Sequence, residues 1–340
     1  MRKLGRRCCG LLLAAFCILC MTGPVRSEDT VIRLRYATFS PPMSGMATIA
    51  EQWCKEVESR TKGKVKISFH PGGSLAPANQ SYEAAVRGIT DITLTATQWT
   101  PGRFPMSELV HMPLRVKSAA QGTKLINAWF NHYKPKEFDD TKILYMFASG
   151  PSHFMTVKQL PSINDLKGMK IRASGDTSRI VSAMEAVPVS VPIGDAYEAF
   201  QRGVCEGVFL SAETLKSFRW GDLLRGLQMN DGIGMVNALL VAMNKKKWNS
   251  LPPDVQAIIE EVSREWIDKT GKGWDEIDRE AMEYAKSKGM KVVTISKDEE
   301  LITTQRMKPL LDAYVEKMKK LGLPAEETLK FAVDFLKSNP

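Results

Sequence analysis

The sequence contains two consecutive series of strand and helix patterns, and this repetition constrains the fold more than any other feature. The first series has strand patterns at residues 32–38, 65–69 and 89–94 and helical patterns at 44–63 and 82–87. The second series begins with an extended segment at 154–157 and continues with a strand at 166–172, helices at 177–186 and 195–202, and strands at 187–191 and 207–210. Strands that alternate with helices are typical of a mostly parallel sheet flanked by helices. The sequence therefore predicts an α/β protein with two lobes and a hinged cleft between them.

The elements after the second series are less regular. An apolar strand at residues 236–243 is long enough to return to the first lobe. Further elements are a long helical pattern at 252–288, a strand at 291–295 and helices at 298–321 and 325–337. With a turn at Gly150 as the boundary, the predicted division is a signal peptide at 1–27, lobe I at 28–150 and 244–295, lobe II at 151–243, and C-terminal helices at 296–340 that pack on the lobes.

The first 27 residues resemble a secretory signal peptide. Four basic residues between positions 2 and 7 precede an apolar run at 11–19, and small and polar residues follow. This order is typical of a secretory signal, and the apolar run is shorter than the roughly 20 residues that a membrane-spanning helix needs. We predict cleavage near Ser27 and an exported protein that works in the periplasm.

Removal of this segment changes the charge and the cysteine content. The whole chain has a formal charge of +9, and the loss of five basic residues lowers it to +4, which argues against nucleic-acid binding. Four of the six cysteines belong to the same segment. Cys54 and Cys205 remain, and the sequence allows either a disulfide between them or two buried free thiols.

Arg172 ends the strand predicted at residues 166–172, where Gly168 is expected to allow a tight approach of the backbone. Ligands of open α/β sheets bind in the crevice beyond the carboxyl ends of the strands. A guanidinium group presents a planar fork of donors that matches a carboxylate or a phosphate. Arg172 is therefore a candidate for ligand binding, and the alternative is a surface arginine paired with an acid such as Asp176.

The loop at residues 97–105 follows the third strand of the first series. The same geometry places this loop at the carboxyl edge of the first sheet. Trp99 and Arg103 are therefore candidates for the wall of the cleft. The alternatives are that Trp99 caps the core and that Arg103 is solvated.

The sequence lacks the common signatures of catalytic and cofactor sites. It has no G-x-S-x-G segment, no phosphate-binding loop and no G-x-G-x-x-G after a strand. The four histidines are scattered singly, without the spacing of metal ligands. His153 is notable only because it lies at the boundary between the two series. We predict no catalytic residues, no metal and no cofactor.

Three segments of the second series resemble motifs of a known family. They are residues 165–172, residues 188–192 and the segment at 197–207, which reads Tyr-Glu-Ala-Phe-Gln-Arg-Gly-Val-Cys-Glu-Gly. Together they are similar to the DctP-type solute-binding proteins of tripartite ATP-independent periplasmic (TRAP) transporters, over essentially the whole chain after residue 27. The third motif usually reads Y-x-A-L-Q-x-G-x-V-D-G in that family, so Cys205 and Glu206 are mild departures.

This resemblance implies a fold and a function. It implies two α/β lobes with strands that cross between them and a long helix, here residues 252–288, that lies across both. It also implies that the lobes close around an organic acid and deliver it to membrane permease subunits, with Arg172 on the family arginine that holds the ligand carboxylate. A monomer is expected. The alternatives are an ABC-type solute-binding protein and, from another class, an exported enzyme that acts on organic acids.

Two departures from the sialic-acid-binding branch of the family concern the ligand. Ser152, with His153 beside it, stands where that branch has a second ligand-facing arginine, and residues 208–210 (Val-Phe-Leu) stand in place of its Gln-Glu-Asn. A wall with fewer polar groups favours a more apolar ligand, so we predict a monocarboxylate with an apolar or aromatic body unless Arg103 provides a second anchor. The candidate ligand-binding residues are Phe39, Ser40, Ser74, Trp99, Arg103, His153, Arg172, Ser174, Ile193, Phe209, Leu210 and Glu213.

Overall fold

Two β-sheets organise residues 31–340, which are the residues that the computed structural model describes. The predicted signal peptide lies outside these residues. The strands are β1 (Ile32–Thr38), β2 (Val65–His70), β3 (Ile92–Ala96), β4 (Thr141–Ala148), β5 (Ser152–Thr156), β6 (Lys170–Arg172), β7 (Val187–Val189), β8 (Gly207–Ser211), β9 (Gly226–Met229), β10 (Ala238–Asn244) and β11 (Lys291–Thr294). The helices are α1 (Gly45–Arg60), α2 (Ser81–Val86), α3 (Ala119–Tyr133), α4 (Thr177–Ala183), α5 (Ala196–Gln201), α6 (Thr214–Ser217), α7 (Lys245–Asn249), α8 (Pro253–Ser287), α9 (Lys297–Lys320) and α10 (Ala325–Ser338).

The first sheet has the strand order β2-β1-β3-β10-β4, and the second has the order β11-β9-β5-β8-β6-β7. Among these strands, β10 pairs antiparallel with both of its neighbours, and so does β5. The remaining pairs are parallel. The predicted fold class, two mostly parallel sheets flanked by helices, is therefore confirmed.

The chain crosses between the sheets immediately before β5 and again before β10. The two crossing segments lie side by side, because the Ser149 N–H donates to the Asn237 carbonyl at 2.9 Å and the Ser152 N–H donates to the Met235 carbonyl at 2.8 Å. These crossings connect the two lobes.

The sheets divide the chain differently from the predicted lobe boundaries at two strands. β10 lies in the first sheet, although residues up to 243 are predicted for lobe II. β11 lies in the second sheet beside β9, although residues 244–295 are predicted for lobe I. The long helix α8 explains the second difference, because its C-terminal end lies beside the second lobe and β11 follows directly.

Helix α8 packs against both lobes. In its first half, the Trp266 indole N–H donates to the Ile49 carbonyl of α1 at 3.1 Å. Near its end, the Tyr284 hydroxyl donates to Asp222 Oδ1, which follows α6, at 2.6 Å. The helix therefore spans both lobes, as the resemblance implies.

None of the helices within residues 31–340 combines the length and the apolar character that crossing a membrane would require.

Apolar side chains cover both faces of each sheet. On the first sheet, Leu34 and Tyr36 pack on one side with α1, whereas Leu240 packs on the other with α3. Two further clusters cover the second sheet. Cys54 and Cys205 are buried free thiols within these cores, so the disulfide alternative is wrong.

Gly168 has a backbone φ of +76°, a conformation that side chains other than glycine rarely adopt. A Cβ atom at this position would meet no other atom within 4 Å. The glycine is therefore needed for the turn into β6, and the predicted close approach of the backbone is wrong.

Candidate functional site

A cavity of about 640 Å³ lies between the two sheets, at the carboxyl ends of their strands. One wall comes from the loops after β1, β2 and β3, where Phe39, Gly73 and Trp99 line the cavity. The other wall comes from Arg172 at the end of β6 and from the loop after β7, which contributes Ile193. Both the position and the volume are typical of a ligand-binding site in an α/β protein.

Arg172 is the last residue of β6, and its backbone pairs with Val189 of β7 and Val208 of β8. This central position leaves the residue only 3% exposed. Its Nε donates to the Val191 carbonyl at 3.0 Å. This hydrogen bond fixes the orientation of the guanidinium group at the cavity wall.

Within residues 31–340, no carboxylate forms an ion pair with Arg172. Asp176 contacts His111 and Arg179 instead, so the alternative of an Arg172–Asp176 pair is wrong. Burial lowers the pKa of Arg172 to about 10, with Cys205 opposing the change, so the group stays cationic at neutral pH. A buried cation without a counter-ion at a cavity wall is suited to bind an anion.

The cavity wall beside Arg172 is partly aromatic. Phe39 is buried and Trp99 is half-buried, and their rings meet edge to face with 4.3 Å between centroids. Ser174 and Ile193 line the same cavity from the second lobe. The structure thus places five of the sequence-predicted residues around one cavity.

A smaller compartment of about 30 Å³ adjoins the main cavity and shares the walls made by Phe39, Trp99 and Ile193. Leu210 and Glu213, which the sequence also predicts as site residues, line this compartment and not the main cavity. The site therefore has a wide part next to Arg172 and a narrow inner part next to Glu213.

Glu213 is 4% exposed, and this burial raises the pKa of its carboxyl group to about 7, although a hydrogen bond with Ser217 opposes the change. Asp278 of α8 lies beside it and accepts a hydrogen bond from the Glu213 N–H at 2.7 Å. Burial, and then repulsion by Glu213, raise the pKa of Asp278 well above its ordinary value. The inner compartment therefore favours neutral carboxylic acids over carboxylates.

Two further polar residues line the inner compartment and were not predicted. Gln98 Oε1 and Asn237 Oδ1 are buried, and neither has a hydrogen-bond partner among the described residues. Gln98 could have been predicted, because it precedes Trp99 in the loop after β3. Asn237 lies in an otherwise apolar crossing segment, so its sequence carries no signal for a site.

A second cavity, of about 320 Å³, lies on the far side of Gln98 and contains a polar contact between the lobes. His111 Nδ1 and Asp176 Oδ2 are 3.2 Å apart, and His111 Nε2 accepts from the Ala238 N–H at 3.3 Å. Nδ1 therefore carries the proton and donates to Asp176. Burial disfavours the Asp176 carboxylate, but the hydrogen bond from His111 and the charge of Arg179 hold its pKa below its ordinary value. This contact holds the lobes together beside the main cavity.

Two predicted site residues lie away from the cavity. Phe209 is fully buried against Phe154, with 4.7 Å between ring centroids, because alternate residues of a strand face opposite sides and its neighbour Leu210 faces the compartment. Arg103 pairs with Asp140 and lies over the ring of Tyr82 at 5.1 Å, so it is not a second anchor beside Arg172, and 35% of its side chain is exposed.

Three other predicted residues also fall outside both parts of the site. Ser40 is buried and donates to Met46 Sδ at 3.2 Å, and Ser74 is exposed. His153 lines neither part, because β5 directs it elsewhere. Burial lowers the pKa of His153 to about 4, with Asp231 opposing the change, so this side chain is neutral at pH 7.

Metal-binding groups are sparse in the part of the chain that the structure describes. Residues 31–340 include no group of three or more His, Cys, Asp or Glu side chains placed to hold a metal ion. The main cavity is thus lined by one cation, Arg172, together with apolar and polar groups that include Asp195, and a small compartment beside Glu213 adjoins it.

Comparison with known proteins places this site in a family. The family model of the bacterial extracellular solute-binding proteins, family 7 (DctP), matches residues 36–318. A TRAP periplasmic solute-binding protein from Desulfovibrio salexigens is 32% identical in sequence and superposes with a TM-score of 0.79, covering 90% of this chain and 96% of that chain. A TRAP solute-binding protein from Rhodoferax ferrireducens, solved with copurified benzoate, is 25% identical with a TM-score of 0.86, covering 90% and 98%.

A curated relative from Albidiferax ferrireducens carries the name solute-binding protein. It is 27% identical over 73% of this chain and 75% of its own length. The matches therefore cover most of the described residues, in sequence and in structure, and they support the resemblance to TRAP proteins and not the ABC-type alternative. The chain belongs to the DctP family of bacterial extracellular solute-binding proteins, which serve TRAP transporters.

Proposed function

We propose that this protein captures an organic monocarboxylate between its two lobes and that Arg172 binds the carboxylate. The observation that carries the proposal is the buried guanidinium group at the cavity wall, which has no counter-ion among the described residues. Removal of a cation from water costs several kcal/mol unless an anion compensates for it. A ligand carboxylate would supply that anion and form charge-assisted hydrogen bonds.

The rest of the cavity supports a ligand with one charge and an apolar body. Arg172 is the one basic side chain that lines the main cavity within residues 31–340, so a second carboxylate would lack a cationic partner. Phe39, Trp99 and Ile193 offer apolar surface to the body of the ligand. The Rhodoferax relative was solved with benzoate, an aromatic monocarboxylate. Aromatic or other apolar monocarboxylates are therefore the proposed ligand class.

Calorimetric titration with a panel of acids tests this proposal. The panel contains benzoate, phenylacetate and mandelate as apolar monocarboxylates, with succinate and a sugar acid as controls. We expect binding of at least one apolar monocarboxylate at micromolar or lower concentration and weak or no binding of the controls. Tight binding of succinate or the sugar acid, with no response to the aryl acids, would refute the proposed ligand class.

The proposed mechanism includes closure of two lobes. We propose that the first sheet with its helices and the second sheet with its helices move as separate bodies about the crossing segments. A ligand shifts such an equilibrium only if it binds one state better, and here the ligand would favour the closed state because only closure brings the wall of Phe39 and Trp99 against a ligand held at Arg172. X-ray scattering should show compaction on addition of the ligand, and identical profiles would contradict closure.

The partners and location follow from the family. We propose that the protein acts in the periplasm as a monomer, without a cofactor or catalytic activity, and passes its ligand to TRAP permease subunits. Light scattering of the purified protein tests the monomer. Uptake of a bound acid by cells or vesicles that contain the cognate permease tests delivery, and uptake that does not depend on this protein would contradict it.

A further inference from the structure

The main cavity is much larger than a single-ring acid such as benzoate. Its volume is about 640 Å³, whereas a cavity of about 150 Å³ is enough to hold a benzene ring. A single-ring acid at Arg172 would therefore fill only a part of the cavity and would leave water against the apolar walls. A ligand with a larger apolar body would displace that water, and the additional buried surface would strengthen binding.

The size of the cavity does not come from a gap between the lobes. Beside the cavity, His111 Nδ1 of the first lobe donates to Asp176 Oδ2 of the second lobe at 3.2 Å. Gly175 lies so close to Gln98 of the first lobe that an added Cβ atom would be 2.9 Å from the Gln98 carbonyl oxygen. These contacts stop further closure on this side. The large volume therefore belongs to the state in which the lobes meet.

Apolar side chains from both lobes line the cavity in addition to Phe39 and Trp99. Ala78, in the turn that precedes α2, belongs to the wall of the first lobe and packs against the same core cluster as Phe39. Phe218, the residue that follows α6, lines the cavity from the second lobe, and its ring centroid is 5.5 Å from that of Trp220. This packing supports the Phe218 ring, so it offers a fixed apolar surface to a ligand.

The charges on the wall limit what a larger ligand can carry. Arg172 is the one basic side chain that lines the cavity within residues 31–340, and Asp195 lines it from the turn before α5. A second carboxylate on the ligand would lack a cation and would approach an acid of the same charge. The additional volume is therefore suited to an uncharged group.

We infer that the ligand is a bulky monocarboxylate with an uncharged, largely apolar body of about two rings, and that Ala78 and Phe218 contact the part of the body that a single-ring acid lacks. This inference rests on the proposed function and makes it more specific. Fused rings, linked rings and an acyl chain of similar volume all belong to this ligand class.

The test compares acids that differ in the size of the body. Benzoate is compared with 2-naphthoate and biphenyl-4-carboxylate, and phenylacetate with 2-naphthylacetate, by calorimetric titration. We expect at least one larger acid to bind about tenfold more tightly than its single-ring parent, the effect of burying roughly 50 Å² of additional apolar surface. If no larger acid exceeds the affinity of its parent by about threefold, the inference is overturned.

An uncharged analogue controls for non-specific apolar binding. 2-Naphthamide has the same rings as 2-naphthoate but no negative charge, so it should bind at least about a hundredfold more weakly. Equal affinity for the amide and the acid would show that the gain does not depend on a ligand held at Arg172, and it would overturn the inference.

Two variants assign the preference for larger acids to the cavity walls. Phe218→Ala removes apolar surface and should reduce the preference to less than about threefold, whereas its affinity for benzoate, the internal control for folding, should change little. Ala78→Leu occupies space at the other wall and should also reduce the preference, which provides a second test if Phe218→Ala does not fold. A preference that persists unchanged in both variants would overturn the inference.

The experiment separates this inference from the proposed function. If single-ring and larger acids bind equally and Arg172→Ala weakens both, the proposed function stands and the bulky ligand is refuted. If none of the acids binds the wild-type protein, the proposed function fails and the inference fails with it.

Discussion

Arg172 and Glu213 lie on adjoining parts of one site and are both almost fully buried, yet only Arg172 is fully charged at neutral pH. Burial lowers the pKa of Arg172 from its ordinary value to about 10 and raises that of Glu213 from 4.5 to about 7. The two changes are similar in size. The ordinary pKa values decide the outcome, because a guanidinium group begins far above neutral pH and a carboxyl group begins close to it.

The difference between Arg172 and Glu213 explains how one cavity can orient a ligand. The wide part carries a positive charge that is available to an anion, whereas the inner part is lined by an acid, Glu213, and by no basic side chain within residues 31–340. An acid that entered with its carboxylate towards Glu213 would lose the charge-assisted pair and approach another acid. The difference between the two ends therefore favours a single orientation, with the carboxylate at Arg172.

Removal of the Arg172 guanidinium group should have the largest effect on ligand affinity. Arg172→Ala should weaken binding of the acid by about 2–5 kcal/mol, roughly thirty- to several-thousand-fold, because the ligand carboxylate would be buried without a partner. Arg103→Ala is the matched control, since Arg103 pairs with Asp140 away from the cavity. Calorimetry should show near-normal affinity for this control. Equal losses in the two variants, or unchanged affinity in Arg172→Ala, would refute the role of Arg172.

Substitution of Glu213 should change the stability of the folded protein in a pH-dependent way. The folded-state pKa of Glu213, about 7, lies above the unfolded value of 4.5, so ionisation of this group destabilises the folded protein as the pH rises between these values. Glu213→Gln removes that cost, and its stability relative to wild type should increase from pH 4.5 to pH 7 and stay constant above, reaching about 3 kcal/mol. Chemical unfolding at several pH values measures the difference. A difference that is independent of pH would contradict burial of an ionisable Glu213.

A substitution at Gly175 should weaken closure of the two lobes over the ligand. A Cβ atom there would lie 2.9 Å from the Gln98 carbonyl of the other lobe, and the residue has a φ of +56°. Gly175→Ala should weaken ligand binding about tenfold, because the crowding arises only when the lobes meet. Gly203→Ala is the control, since Gly203 has a φ of +67° but no atom within 4 Å of the added Cβ. This control should lose stability without a change in affinity, and equal affinities for the two variants would argue against the closing contact.

The sequence predicts the part of the site around Arg172 better than the part around Glu213. Arg172 could be predicted because a basic residue at the end of a predicted strand lies at the carboxyl edge of a sheet. Trp99 and Ile193 follow from the same rule, since each belongs to a loop after a strand. Phe209 does not follow, because β8 is buried on both faces and its sequence does not indicate which residues face the cavity.

The other wrong or missing predictions have a common physical cause. The positions of these residues depend on contacts with distant parts of the chain. Arg103 belongs to a loop after a strand, but its position is set by Asp140, a residue far away in sequence. Asn237 comes to the inner compartment through the crossing segment, and Asp278 comes to the backbone of Glu213 through α8. The lobe boundaries at β10 and β11 depend on the same long-range packing.

The most direct test of the central claim is the identity and position of a ligand that co-purifies with the protein, determined by mass spectrometry and by a crystal structure. We expect an apolar or aromatic monocarboxylate with both carboxylate oxygens within hydrogen-bonding distance of the Arg172 guanidinium group and with its body against Trp99. A ligand without a carboxylate, or a carboxylate bound away from Arg172, would contradict it.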